Sequence, residues 1–389
     1  MIPFIETVVG RFGGRLAGSP EEREAQKFVK EHFESLGAKA EIQTFKAALT
    51  AKFLALKIFT VVYFLCLALY WVSLPAAFVL ALLNGVLFVG HFLTYRNWLD
   101  FLFPQMESSN VQATLEPQGV VKQTIIVAGH IDSVREFQWW YHLKNFGGLL
   151  TVLAGVLYVF QGPLLLLVWL TGIAWADAVW LLLAILSPAT FSMYAMHGKK
   201  VVDGAMDNLT GVAVAVEMAK VFAHESQPGK SRLQHTRLRL VSFGSEECGL
   251  RGSNAYAVRN KEQLLEENAL LVNIDTIKDT EHLSIIKREL NTQVKYDSRL
   301  VAAVNQAFVD CNVPVKHINL SVGATDGSAF GIHNLPTISI IGIDSSQFDP
   351  CYHTRLDTLE NLKPEALEVF KVVLVNFIEG WDSGKYRIN

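Results

Sequence analysis

The sequence predicts an α/β domain with a mixed central sheet flanked by helices, into which four transmembrane helices are inserted. Three observations carry that reading. Short apolar runs such as Thr124-Ile-Ile-Val-Ala-Gly-His130 lack polar alternation and read as buried central strands. Segments with helical spacing of apolar residues alternate with them. Two blocks of nearly uninterrupted apolar residues are each long enough to cross a bilayer twice.

In chain order, residues 21–36 form an amphipathic helix and residues 40–45 a first strand. Strands follow at 110–115, 124–128, 237–243, 270–274, 282–286 and 337–341. Residues 208–222 read as a helix because Val212, Val216, Met218, Ala219 and Phe222 recur at helical spacing. Further helices are expected at 297–311 and 364–381. The α/β domain thus comes in three pieces, 1–50, 98–144 and 198–389, separated by transmembrane hairpins at 51–97 and 145–197.

Composition supports the hairpins. Hydrophobic residues make up 51% of the 389 and charged residues only 18%, with a mean hydropathy of +0.27, unusual for a water-soluble enzyme of this length. Residues 53–72 and 76–95 are each about one span, roughly 20 residues, joined by the turn Ser73-Leu-Pro75. Residues 146–196 hold two more spans, with a break at 172–177 and Gln161-Gly-Pro163 as the competing break. An α/β sheet of this size has no room for four wholly apolar helices of this length. Trp71, Trp98, Trp139, Trp140 and Trp175 lie near span ends, as interfacial aromatics do. A removable signal peptide is not expected, because the first apolar run begins after residue 50.

Each hairpin returns the chain to the side it left, so the catalytic pieces share one compartment. Lys46, Lys52, Lys57, Arg96, Lys144, Lys199 and Lys200 flank the spans on that side, and the hairpin tips carry no Lys or Arg. The positive-inside rule then places both termini and the catalytic domain in the cytoplasm. Cys66 lies in a span, and Cys248, Cys311 and Cys351 lack the dense spacing of a disulfide framework. A net charge of −3, without a basic stripe or a Gly-rich phosphate loop, gives no nucleic-acid partner. The lipid bilayer is an expected partner; the oligomeric state is left open.

Five separated residues at strand ends or beside Gly-rich turns carry the chemistry: His130, Asp207, Glu247, Asp275 and His353. Open α/β sheets place their sites at such strand ends. Two imidazoles and three carboxylates form a hard-to-borderline donor set suited to zinc, with manganese or cobalt as alternatives. The pattern reads as a two-metal hydrolase.

The chain resembles the M28 family of zinc aminopeptidases and related hydrolases. The family's GHxDS, GAxDNxxG, EExGLxGS, NxD and YHTxxDT elements occur in order at residues 129–133, 204–211, 246–253, 273–275 and 352–358. Arg15-Leu-Ala-Gly-Ser-Pro20 and the helix after it resemble the family's opening segment. The resemblance implies that His130, Glu247, Asp275 and His353 hold two zinc ions, that Asp207 bridges them, that Asp132 orients His130, and that Glu246 is the general base. It also places Asp326 near the substrate site, with a plain turn as the alternative. Tyr352 is a candidate donor to the oxyanion or a buried tyrosine with a satisfied hydroxyl, and Asp357 is expected to brace the loop behind His353. The implied activity is that of a membrane-anchored aminopeptidase, with peptides as substrates and hydrophobic ones a particular candidate. The alternatives are a single-zinc acyltransferase resembling glutaminyl cyclases and a non-catalytic membrane scaffold of the same fold.

Overall fold

The computed structural model describes residues 1–172 and 174–386 and separates into two compact units. One comprises Met1–Ala47, Met106–Val134 and Val201–Asn389; the other comprises Ala48–Gln105 and Arg135–Lys200. The strands, in chain order, are β1 (Lys39–Ala47), β2 (Met106–Leu115), β3 (Gln123–His130), β4 (Arg135–Phe137), β5 (His197–Val201), β6 (Thr236–Phe243), β7 (Ala269–Ile277), β8 (Leu283–Glu289), β9 (Val294–Lys295), β10 (Lys316–Leu320) and β11 (Thr337–Gly342).

The first unit is organised by a nine-stranded sheet of order β1-β2-β6-β3-β7-β11-β8-β10, with β9 added to β8. Its centre, β6-β3-β7-β11, is parallel. On one flank β1 and β2 run antiparallel, and on the other β8 is antiparallel to β11 while β10 is parallel to β8. The sheet is mixed, as the sequence predicts. Period-two alternation sends Ile125 and Val127 of β3 into the larger core and Ile126 and Ala128 into the smaller core on the opposite face. Both faces are apolar because helices cover both. The helix Leu209–Phe222 packs in the larger core, and the helices Arg251–Glu266 and Asp326–Ile332 contribute Tyr256, Ala257, Leu264 and Phe330 to the smaller one.

Several elements lie outside the sequence expectation, among them the helix Ile2–Phe12 and the short strands β4, β5 and β9; three others do so for a clear physical reason. The helix Arg251–Glu266 buries only a narrow apolar stripe, and Gly252 in its first turn weakens the local helix signal. Strand β10 is a polar sheet edge, Lys316-His-Ile-Asn-Leu320, with no fully buried residue. The helix Asp326–Ile332 is too short for a periodicity argument.

The second unit contains four helices with the length and composition of membrane spans: Ala51–Leu69, Leu74–Leu93, Asn145–Thr171 and Ala176–Tyr194. At 1.5 Å per residue, 19 residues extend about 28 Å, close to a hydrocarbon core of about 30 Å. Only 39–44% of each apolar window is buried. Val79, Leu83, Val86, Leu170, Leu182 and Ile185 point outward instead, the reverse of a soluble helix. The third helix runs unbroken through Pro163 and ends at Gly172, which adopts the left-handed conformation that caps helices. The break between the last two helices therefore falls in 172–175, where Ile173 lies outside the described residues.

Candidate metal centre

The parallel strands β3, β6 and β7 deliver their carboxyl ends to one side of the sheet. His130 is the last residue of β3, Glu246 and Glu247 follow β6, and Asp275 lies near the carboxyl end of β7. Asp207 precedes the helix Leu209–Phe222, whose cap, Asn208, accepts from the Gly211 N–H at 3.0 Å and donates to the Ile274 carbonyl at 2.8 Å. That helix sits against the sheet backbone to backbone. A Cβ on Gly129 would lie 2.7 Å from Gly211, and one on Gly211 would lie 2.6 Å from the Ile274 oxygen. His353 comes from the loop after β11, in the left-handed region with φ 56°. Ser245, Leu250 and Thr276 share that conformation, which costs an L-residue about 1–2 kcal/mol. Four such residues around one site indicate a geometry that the surrounding packing holds in place.

The five candidates converge. His130 Nε2 lies 3.1 Å from Asp207 Oδ1, and His353 Nε2 lies 3.2 Å from Asp207 Oδ2 and 3.1 Å from Glu247 Oε2. The two oxygens of Asp207 thus face different imidazoles. Two groups, His130–Asp207–Asp275 and Asp207–Glu247–His353, each bring one donor atom per residue within 4.8 Å of the others. Tetrahedral zinc with bonds of about 2.0 Å sets neighbouring donors roughly 3.3 Å apart, so the spacing and the donor types both fit zinc. Glu246 stands beside these groups, its Oε2 3.9 Å from His130 Nε2.

The electrostatics are those of a dense, buried charge cluster. Burial opposes protonation of His353, yet Glu247 and Asp207 hold it up to about 9. Burial likewise works against ionised Asp207, but His130 and His353 keep it well below the usual carboxylate range. Burial lifts Asp275 to about 7, with Asp207 adding to the effect. Glu246 is raised well above its ordinary value, first by burial and then by Asp326, Glu247 and Asp275, while His130 opposes the shift.

Buried residues behind the cluster fix its loops. Asp132 accepts from the Glu246 and Glu247 N–H groups at 2.9 and 3.1 Å, and its backbone carbonyl lies 3.1 Å from His130 Nδ1. Its carboxylate is 3.5 Å from that nitrogen, so the side chain anchors the Glu pair more closely than it does the ring. Asp357 accepts from Met206 and Asp207 N–H at 2.6 and 3.3 Å, bracing the loop of Asp207 where the sequence suggested that of His353. Tyr352 stacks on the His353 imidazole, with centroids 3.8 Å apart and planes 19° apart. Asp326 is fully buried at the start of the helix Asp326–Ile332, where the sequence allowed a plain turn, and its negative charge adds to the raised proton affinity of Glu246 and Asp275.

Sequence reasoning passed over Glu22 and Arg15. Glu22 accepts from the N–H groups of Gly18 and Ser245 and from the hydroxyls of Ser108 and Ser245. Its signal was present: with Ala25, Gln26, Val29 and Phe33 it lies on the buried face of an otherwise polar helix. Arg15, also fully buried, donates to the carbonyls of Gly13, Ile131, Asp203 and Gly204. It ties the segment after His130 to the segment before Asp207, the two points between which the apolar residues are inserted.

Comparison with known proteins agrees with this geometry. The model of peptidase family M28 matches residues 186–378, a span that includes Asp207, Glu246, Glu247, Asp275 and His353. Aminopeptidase YwaD of Bacillus subtilis (strain 168) is 26% identical over 171 residues, 42% of this chain and 35% of that relative, so the match spans about a third of the curated protein's length. Among solved structures, an aminopeptidase from Aneurinibacillus sp. strain AM-1 aligns over 97% of this chain and 92% of its own, with TM-score 0.56 and 16% identity. A glutaminyl cyclase from an Acidobacteriales bacterium aligns over 98% and 93%, with TM-score 0.57 and 15% identity. The zinc aminopeptidase BSAP from Bacillus subtilis aligns over 97% and 93%, with TM-score 0.57 and 13% identity. These structural likenesses are of fold. The family match over residues 186–378, together with the order of the motifs, makes the chain similar to peptidase family M28.

Proposed function

We propose that this protein is a membrane-anchored di-zinc aminopeptidase. The observation that carries the reading is the placement of Asp207, each of whose oxygens faces the imidazole of a different donor group. His130 and Asp275 would complete one zinc site, Glu247 and His353 the other. Two bound zinc ions would acidify a water, polarise the scissile carbonyl and attract a free amino group. Glu246 would take the proton of the attacking water and return it to the leaving amine. Its raised affinity for a proton, set by burial, suits a base that must later act as an acid. Asp132 positions Glu246 by holding its backbone N–H.

The apolar helices would anchor the protein, with the catalytic unit on the cytoplasmic side. The inserted residues leave the catalytic unit at Val134, just after Asp132, and return at Val201, shortly before Asp207. That placement supports peptides presented at a membrane surface, with hydrophobic ones favoured, as substrates. In liposomes, equal turnover of lipophilic and polar peptides would remove this preference from the account.

The cyclase reading is kept because cyclase and aminopeptidase neighbours have TM-scores of 0.57 and 0.56–0.57, which do not separate them. The second donor group favours hydrolysis. Peptides with free and blocked amino termini, and one beginning with glutamine, decide the matter by product mass. Release of the first residue only from free termini is expected; loss of ammonia from the glutamine peptide without cleavage would replace the peptidase with a cyclase.

A further inference from the structure

We infer that one end of the apolar unit is built to bind anionic phospholipid headgroups, so that the protein prefers a negatively charged leaflet. This inference rests on the membrane reading above and adds a lipid chemistry to it. All seven Lys and Arg residues of the unit lie at the end where both hairpins begin and finish, against only Asp100 and Glu136 there, whereas the far end carries Asp177 and no cation. Such a one-ended distribution aims a positive field at the interface.

Side-chain contacts gather this end into a collar. Strands β4 and β5 form a two-stranded ribbon, across which the Arg135 guanidinium donates to the Lys199 carbonyl at 3.0 Å. Phe53, at the start of the first span, packs on His197 of the ribbon with centroids 4.0 Å apart and on Phe137 at 6.2 Å; Phe137 in turn meets Trp140 at 5.2 Å. Cations sit over this aromatic layer. Lys52 Nζ lies 4.7 Å from the Tyr95 ring and Lys57 Nζ 5.8 Å from that of Tyr194. The Lys57 contact fits a side chain that snorkels from within its span.

Six cations of this end have no carboxylate partner among the described residues. Lys57, Arg96, Arg135, Lys144, Lys199 and Lys200 make no ion pair among the described residues, and all but Arg135 are exposed. Elsewhere in the chain, exposed Lys27, Arg232 and Arg299 and half-buried Lys30 each pair with a carboxylate, while exposed Lys39, Lys122 and Lys220 make no ion pair among the described residues. An anionic headgroup supplies the missing counter-charge where aromatic rings already mark the interface. Each cation near such a surface contributes about 1 kcal/mol, roughly a fivefold change in lipid affinity.

The test reconstitutes the full chain into vesicles of phosphatidylcholine alone or mixed with phosphatidylglycerol, and counts the lipids retained after detergent extraction by native mass spectrometry. Phosphatidylglycerol should be enriched over its bulk fraction. Lys199→Gln with Lys200→Gln should reduce that enrichment roughly tenfold or more, while Lys27→Gln with Lys30→Gln should leave it unchanged. Raising the salt concentration on the unaltered chain should weaken the enrichment too, a check that does not depend on any variant folding. Firm incorporation into both vesicles with no enrichment would overturn the lipid inference and leave the membrane reading intact. Release of the chain from both by alkaline carbonate would overturn the membrane reading itself, and the inference with it.

Discussion

The two units bury polar groups in opposite ways. The catalytic unit buries charge: Arg15, Glu22, Asp132, Asp207, Glu289, Asp326 and Asp357 are each almost or wholly inaccessible. The apolar unit's four helices bury no Asp, Glu, Lys or Arg among the described residues, and use neutral groups instead. Thr60 bonds Tyr158 at 2.6 Å, Tyr63 donates to the Leu183 carbonyl at 2.9 Å, Gln161 to that of Tyr63 at 3.1 Å, and Asn84 to that of Phe59 at 3.2 Å. A buried charge is tolerated only where other charges and many hydrogen bonds answer it, and the sheet's strand ends supply both. A helix bundle whose backbone groups are already satisfied needs only a few neutral contacts to fix its packing. The difference predicts that single substitutions are costly in the first unit and mild in the second.

The largest effect expected is at Arg15. Arg15→Met keeps much of the volume but leaves four carbonyls and nearby carboxylates without their cation, and should destabilise the catalytic unit by about 3–5 kcal/mol in denaturant unfolding. A loss below 1 kcal/mol would show that the buried charge is not structural. Next comes Asp357→Asn, which turns an acceptor pair for Met206 and Asp207 into one acceptor and one donor. Zinc affinity, measured by competition with a chelator, should fall about 10–100-fold. An unchanged affinity would separate the loop of Asp207 from the metal centre.

How far the site is legible in the sequence follows from the same contrast. The donors His130, Asp207, Glu247, Asp275 and His353 stand beside strand ends and Gly-rich turns, so local pattern locates them, and the spans announce themselves by hydropathy. Arg15, Glu22 and Asn208 act through backbone groups distant in sequence, and no local pattern encodes those partners. Glu22 shows its place only as a charge on an apolar helix face. Strand β10 and the helix Arg251–Glu266 escape notice because tertiary contacts, not strong local periodicity, hold them.

Glu22 also gives a pH-dependent effect. Burial raises its carboxyl from the ordinary 4.5 to about 8, with Asp132 adding to the shift and its hydrogen-bond donors opposing it. The folded state therefore keeps a proton that the unfolded chain loses above about 4.5, and stability declines as pH rises from there towards 8. Glu22→Gln should flatten that slope in thermal unfolding of the metal-free protein; an unaltered slope would assign it to another group. The smallest effect is expected in the apolar unit, where Tyr158→Phe removes a hydroxyl contact to Thr60 and should cost about 0.6 kcal/mol in a detergent unfolding assay. A loss of several kcal/mol there would erase the contrast between the two units.

The most direct test of the central claim is the metal content per chain of the detergent-purified protein, compared with His130→Ala and His353→Ala, all reconstituted with zinc and read by mass spectrometry. Because each imidazole faces its own oxygen of Asp207, the account predicts two zinc ions in the unaltered chain and one in each variant. A single zinc in the unaltered chain, or loss of both ions on removing either histidine alone, would contradict the two-site centre.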